Sequence, residues 1–195
     1  LEWFAGVSYG TFQTELDFAG DASLEESTIT TYLGKIVDSY TFSAALGLIA
    51  GGTLSYRGSN FRVGQGWLVL GSVARTWNYR EIPQLFISGS LSAGLSQTST
   101  RSLNLEKRSL TAIDLRLGIL AGTTVWEKVT LYGLARVFGG PVFWTGSEES
   151  LVGGDKHHYQ LGCGSRLQVG DRFSFLIEVS LFGERSFSSG ILANL

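Results

Sequence analysis

The stretch Tyr40–Tyr56, YTFSAALGLIAGGTLSY, carries no charged residue and lies between Asp38 and Arg57. It is long and apolar enough to cross a bilayer, so the question is which backbone conformation it uses. Every second residue gives Tyr40, Phe42, Ala44, Leu46, Leu48, Ala50, Gly52, Leu54 and Tyr56. The alternate set is Thr41, Ser43, Ala45, Gly47, Ile49, Gly51, Thr53 and Ser55. Side chains alternate across a strand, whereas a helix would mix these two sets around its circumference. The spacing therefore predicts a strand with one apolar face, ended by tyrosines, and one small and mostly hydroxylated face. A tilted strand spans a bilayer in about 9–11 residues, so this one crosses and projects beyond.

The rest of the chain repeats the unit. Its 195 residues suit a single domain, 1–195. Charged residues make up 16% of it, below the roughly 25% of a soluble domain, while 26 glycines and many Ser and Thr keep the hydropathy modest. Barrel strands have this composition because they turn apolar residues to lipid and small polar ones inward. The expected fold is all-β: an antiparallel transmembrane β-barrel of about ten strands. A soluble sandwich or lipocalin-like barrel is the competing fold, but its strands average about 5–6 residues, and it would bury this apolar face.

A net charge of −2 leaves no basic excess to neutralise phosphates, which argues against a nucleic-acid partner. Cys163 is the single cysteine, so no internal disulfide can form, and its strand position predicts a lipid-facing thiol. The chain holds no methionine and no charged segment leading into an apolar one, so an export signal is expected to have been removed.

In order, Leu1 to Gln13 predicts strand one, 15–27 a loop, Thr28 to Val37 strand two and Asp38-Ser39 a hairpin turn. Tyr40–Tyr56 is strand three and 57–65 a loop. Strands four to ten follow at 66–78, 84–98, 110–125, 129–145, 157–169, 173–182 and 185–195. The connections at 38–39, 79–83, 126–128 and 170–172 are short, and those at 15–27, 57–65, 98–108 and 146–156 are longer. Short periplasmic turns, longer extracellular loops and an even strand count characterise outer-membrane barrels, and both termini then fall on the periplasmic side. Aromatic residues mark the two interfaces: Trp3, Tyr40, Trp77, Tyr79, Trp126 and Phe173 at one, Tyr56, Trp67, Phe143, Trp144 and Tyr159 at the other.

On this architecture the chain resembles the small bacterial outer-membrane β-barrel proteins over nearly its whole length. The resemblance implies residence in the bacterial outer membrane, contact with membrane lipid and outer-leaflet lipopolysaccharide, insertion by the barrel-assembly machinery, a monomer and no cofactor. Such proteins often end in an alternating strand with a terminal aromatic residue. Here Phe187, Ser189, Ile191, Ala193 and Leu195 keep the alternation and end in leucine.

Three groups of residues could carry chemistry. Alternation turns Asp114, Arg116, Arg136, Arg166 and Glu178 into the lumen, and Arg75 is expected there too because an arginine facing lipid costs roughly 2–4 kcal/mol at the midplane. Hairpin geometry sets Glu178 diagonal to Arg166 and Arg116 diagonal to Arg136. The latter like-charge pair needs Asp114, Glu178 or an anion nearby. These charges form either an internal salt-bridge network or a narrow passage for small anions. Gly139-Gly140-Pro141 predicts a bulge or frayed strand end, or else a lateral opening to the membrane. His157 and His158, with Ser147, Glu148, Glu149, Ser150 and Asp155 near the rim, are the types of a hydrolase or metal site, but adjacent strand residues point to opposite faces and no known lipid-enzyme motif is present. The function expected first is a non-enzymatic narrow channel or carrier for small solutes. A structural or surface-binding barrel with a plugged lumen ranks second, and a lipid-modifying enzyme third.

Overall fold

The computed structural model describes residues 2–79, 84–102, 107–146 and 150–195. These form thirteen strands: β1 (Glu2–Asp17), β2 (Asp21–Val37), β3 (Tyr40–Tyr56), β4 (Ser59–Val63), β5 (Gly66–Asn78), β6 (Leu85–Arg101), β7 (Lys107–Val125), β8 (Val129–Gly139), β9 (Val142–Thr145), β10 (Ser150–Asp155), β11 (Tyr159–Val169), β12 (Phe173–Gly183) and β13 (Arg185–Asn194). Three of the staves are interrupted, so β4 with β5, β8 with β9, and β10 with β11 each build one stave and the ring has ten. Every sequential neighbour is antiparallel, and β13 returns to β1 from Phe4↔Asn194 to Gln13↔Arg185. Closure matters because hydrocarbon offers no hydrogen bonds, and only a sheet without edges satisfies its backbone there.

Tight turns at Asp38, at Trp126 and Glu127, and at Gly170 sit at the end that holds the termini, each with positive φ. Residues 80–83 of the turn expected at 79–83 lie outside the described residues. The other end departs from expectation. Segment 15–27 is paired strand through Asp17↔Asp21, and 57–65 is a hairpin whose β4 pairs with β3 as far as Tyr56↔Ser59. Of the other two segments expected as loops, 98–108 is paired through Arg101↔Lys107, and 146–156 contains β10. These hairpins were hidden because their pattern is inverted. Around the first turn Leu16, Phe18, Ala22 and Leu24 are buried while Glu15, Asp17, Asp21 and Glu25 are exposed. Above the bilayer the outer face meets water instead of lipid, so an apolar-out template fails where an apolar-in one fits.

The opening stretch also changes face partway along. Thr28 opposes Ile49 but Ser27 opposes Gly51, which leaves Ala50 as an extra residue. Gly51 adopts φ 144°, a conformation that side-chain-bearing residues rarely take. Below the bulge Phe42, Leu46 and Leu48 are exposed as expected; above it Leu54 is fully buried and Tyr56 points inward. Trp144, assigned to the outer aromatic girdle, is likewise inside and fully buried. Trp3, Tyr40, Trp77, Tyr79, Trp126 and Phe173, and on the other side Trp67, Phe143 and Tyr159, do lie on the exposed outer surface. Cys163 is free and exposed, opposite Gly133 and Val179 on the outer face.

Arg75 corrects a further expectation. It opposes Tyr40 in the ladder and is outward, with its guanidinium 5.2 Å from the ring centres of both Tyr40 and Trp77. The penalty that argued for the lumen falls to about 0–1 kcal/mol near an interface, and two aromatic faces supply the cation with partners there. Leu46 stands instead midway along the apolar face, 64% exposed. Leu46→Arg is therefore expected to cost about 2–4 kcal/mol, whereas Arg75→Leu should stay within about 1 kcal/mol. Urea-dependent unfolding from phosphatidylcholine vesicles measures both.

Candidate functional site

The lumen is organised in layers. At the outer end Trp144 packs on Phe61, Tyr56 and Phe18, with ring centres 4.8, 5.4 and 5.9 Å away. Its indole Nε1 donates to Thr100 Oγ1 at 2.8 Å, and the Arg108 guanidinium lies over its ring. Leu16, Leu54 and Val63 complete an apolar plug of fully buried side chains. The partner for the indole N–H is what permits so large a residue to be buried without a desolvation penalty.

Below the plug a charged chain crosses the wall built by β7, β8, β11 and β12. Arg116 binds Glu184 with both terminal nitrogens, at 2.8 and 3.1 Å, and its Nε donates to Asp114. Arg136 binds Glu178 at 2.7 and 3.2 Å and donates to Gln160 Oε1 at 3.0 Å. Gln160 Nε2 in turn donates to Glu184 at 3.2 Å and to Ser186 at 2.9 Å, and Tyr132 donates to Glu178 at 3.3 Å. Fork-to-fork guanidinium–carboxylate pairs of this kind are the strong, orienting form of ion pair.

Asp114, Arg116, Arg136 and Glu178 thus meet where alternation put them. Arg166 is inward too but stands apart, with Gln168 at 3.5 Å, and Glu178 turns to Arg136 instead. Each of the diagonal arginines has its own carboxylate, so repulsion between them is answered by pairing and needs no bound anion. Glu184, Gln160 and Glu26 were missed. Glu184 follows Gly183 in a tight turn, where exposure is the usual state, yet it is 4% exposed. The turn is tight because Gly183 takes φ 74° and a Cβ there would meet the Tyr159 carbonyl oxygen. Glu26 falls in the segment expected as a loop, but it belongs to β2, where the inward parity of Thr28, Thr30 and Tyr32 extends to it.

A cavity of about 480 Å³ lies between these layers. Its lining takes Leu16, Leu24, Ile49 and Val142 from the plug, Arg116 and Glu184 from the charged chain, and a row of hydroxyls from Ser72, Ser90, Ser92 and Ser96. The bilayer-spanning serines foreseen in the sequence thus line this cavity.

The wall around the chamber is continuous at Gly139-Gly140-Pro141. Register is kept across it, with Leu115↔Gly139 before and Ala112↔Val142 after, and Ile113 N donates to Pro141 O at 3.1 Å. The backbone ladder therefore runs through this interruption. Higher up, β12 and β13 end early, and β10 leans over their hairpin to pair with β1 at Leu16↔Asp155 and Asp17↔Gly154. Thr14 donates to Asp155 at 3.0 Å, Lys156 Nζ reaches Asp21 at 3.0 Å and Glu15 at 3.7 Å, and His157 approaches Glu15 at 3.4 Å. The hydrogen bond to Asp21, its charge and that of Glu15 hold the Lys156 ammonium above its ordinary pKa. His158 contacts the Phe138 carbonyl at 3.2 Å, away from His157. Among the described residues no group of three His, Cys, Asp or Glu side chains could hold a metal, and Ser147, Glu148 and Glu149 lie outside them.

No protein-family model matches the sequence, and no curated protein sequence matches it. Solved structures do match. The translocator domain of the autotransporter NalP from Neisseria meningitidis aligns over 99% of this chain and 88% of its own, with a TM-score of 0.57 and 14% identity. The fold is that of an outer-membrane β-barrel. The transport unit of the autotransporter AIDA-I from Escherichia coli covers 98% of this chain and 89% of its own, at TM-score 0.57 and 10% identity. The β-domain of the Bordetella autotransporter BrkA covers 100% and 99%, at 0.55 and 15%. This outer-membrane β-barrel shares their architecture at identities that identify no subfamily.

Proposed function

We propose that the protein is a gated, non-enzymatic passage for small solutes in the bacterial outer membrane, working as a monomer among membrane lipid and lipopolysaccharide and inserted by the barrel-assembly machinery. One observation carries this reading: a solute-sized chamber lies inside the wall, below a plug that side chains alone compose. A barrel that served only as a scaffold could fill this volume, as small barrels do. The paired arginines favour a role in holding the wall and orienting Glu184 over a role as anion sites. Outward passage requires the plug to part, and its rings belong to hairpins beyond the bilayer, where backbone opening is least costly. The complete burial of Trp144 and Leu54 favours, as a second reading, a closed barrel whose hairpins bind a partner.

Planar-bilayer recording separates the two. The gated passage is expected to give brief, small openings in the native protein and sustained conductance once Trp144 is truncated. Silence of both proteins at all voltages, together with absent solute flux into proteoliposomes, would rule it out.

A further inference from the structure

The chamber is unbalanced in charge. Glu26, Asp114, Asp155 and Glu184 line it against Arg116 and Arg136, four carboxyl groups against two guanidinium groups. Arg136 is moreover taken by Glu178, and Arg116 by Asp114 and Glu184. Glu26 is 4% exposed and lines the chamber, and its carboxyl group has neither a hydrogen bond nor an ion pair among the described residues. The Oδ1 atom of Asp114, on the same lining, is buried without a hydrogen-bond partner. Asp155 accepts from Thr14 and has no ion pair among the described residues.

Buried carboxylates are ordinarily paired, because leaving the charge uncompensated costs several kcal/mol. Here carboxylates are in surplus, and both arginines of the lining are already paired. The plug side of the same space is apolar, with Leu24, Ile49 and Leu110 belonging to both the lining and the buried cluster. A volume of this size is that of small-molecule sites, which lie within about 300–1,000 Å³ and combine apolar walls with a few fixed polar groups.

Resting on the reading of the chamber as a solute compartment, we infer that it binds a small organic cation with an apolar body, a primary amine, with Glu26 as its counter-charge. An ammonium group supplies three N–H donors and no acceptor, which matches an arrangement rich in unfilled acceptors. Glu26 meets the charge, and the apolar body packs against Leu24 and Ile49. An anion of the same size would face the surplus carboxylates, and its natural partners, the arginines, are already occupied. The predicted selectivity is therefore opposite to that suggested by counting arginines.

The test uses the full barrel in lipid nanodiscs and calorimetric titration with benzylammonium, benzyl alcohol and benzoate, which share a ring and differ in charge. Saturable binding of benzylammonium is expected, with benzyl alcohol much weaker and benzoate absent. Glu26→Gln should weaken benzylammonium by about tenfold or more, the scale of one charge-assisted hydrogen bond. No saturable binding of benzylammonium to the native protein, equal binding of benzoate, or undiminished affinity in a folded Glu26→Gln barrel would each overturn the assignment. Should that variant fail to insert, the native preference for the cation over its two isosteres decides alone. Bilayer recording of the same preparations keeps the two proposals apart. Conductance without ammonium binding removes the cation site and leaves the passage, whereas binding without conductance or flux leaves the site and removes the passage.

Discussion

Trp144→Ala is expected to destabilise the barrel by about 3–5 kcal/mol, the usual cost of deleting a buried aromatic side chain, and to convert brief openings into sustained conductance. Both effects follow from one position. Trp144 is fully buried and touches Phe18, Tyr56 and Phe61, which come from two different hairpins, while its indole engages Thr100 on a third. Truncation removes a side chain that touches all three hairpins and strands the Thr100 hydroxyl in a largely apolar setting. Trp144→Phe separates the contributions: it keeps most of the packing, loses the hydrogen bond, and should cost only about 1–2 kcal/mol with conductance close to native. Equilibrium unfolding in urea from vesicles reads the first effect, and single-channel open probability reads the second. A Trp144→Ala barrel as stable and as quiet as native would show that the plug neither supports nor closes the outer end.

Glu184→Ala carries the next largest effect, an expected loss of about 3 kcal/mol from leaving a half-buried guanidinium without its main partner. Arg116 would retain Asp114 and the face of the Phe138 ring, and Gln160 would lose one of its two acceptors. The residue stands at the hairpin β12–β13, so the break severs the wall from its own last turn. Exchanging both partners for apolar residues, Arg116→Met with Glu184→Leu, should be less damaging than Glu184→Ala, because no charge is then left buried. A double-mutant cycle on unfolding free energies measures the coupling, which should be near 2 kcal/mol for residues in one network. Additive effects of the two single changes would mean that the pair does not hold the hairpin.

Much of this was legible in the sequence, and the failures share a cause. Period-two alternation located the staves because lipid outside and small residues inside give it contrast, as in Tyr40 to Ile49. It also placed Asp114, Arg116, Arg136 and Glu178 on one inner surface. Alternation has no memory across an inserted residue, so the single extra position at Ala50 sent Leu54 and Tyr56 to the wrong side. It is equally silent about what lies outside: the same template rejected the hairpin of Leu16 and Leu24, whose outer surface meets water. Arg75 failed differently. A penalty appropriate to the bilayer centre was applied at its edge, where Tyr40 and Trp77 welcome a cation. Partner choice lay further out of reach: Glu184 meets Arg116 across non-adjacent staves, 68 residues away in the chain, and Gln160 opposes Arg136 in a ladder whose register the intervening β9 and β10 hide.

The pairing of β10 with β1 over the early-ending β12–β13 hairpin has a geometric consequence. Ten staves enclose the lumen near the termini, but only eight reach the outer rim, so the barrel tapers like a funnel with its narrow mouth outward. Barrel diameter grows roughly in proportion to strand number, and about eight strands leave an interior that side chains just fill. The wide part can therefore hold a chamber while the mouth can be stoppered by one tryptophan and its neighbours. Lengthening the β12–β13 hairpin until it displaced β10 would widen that mouth by two staves, and no single side chain could then span it.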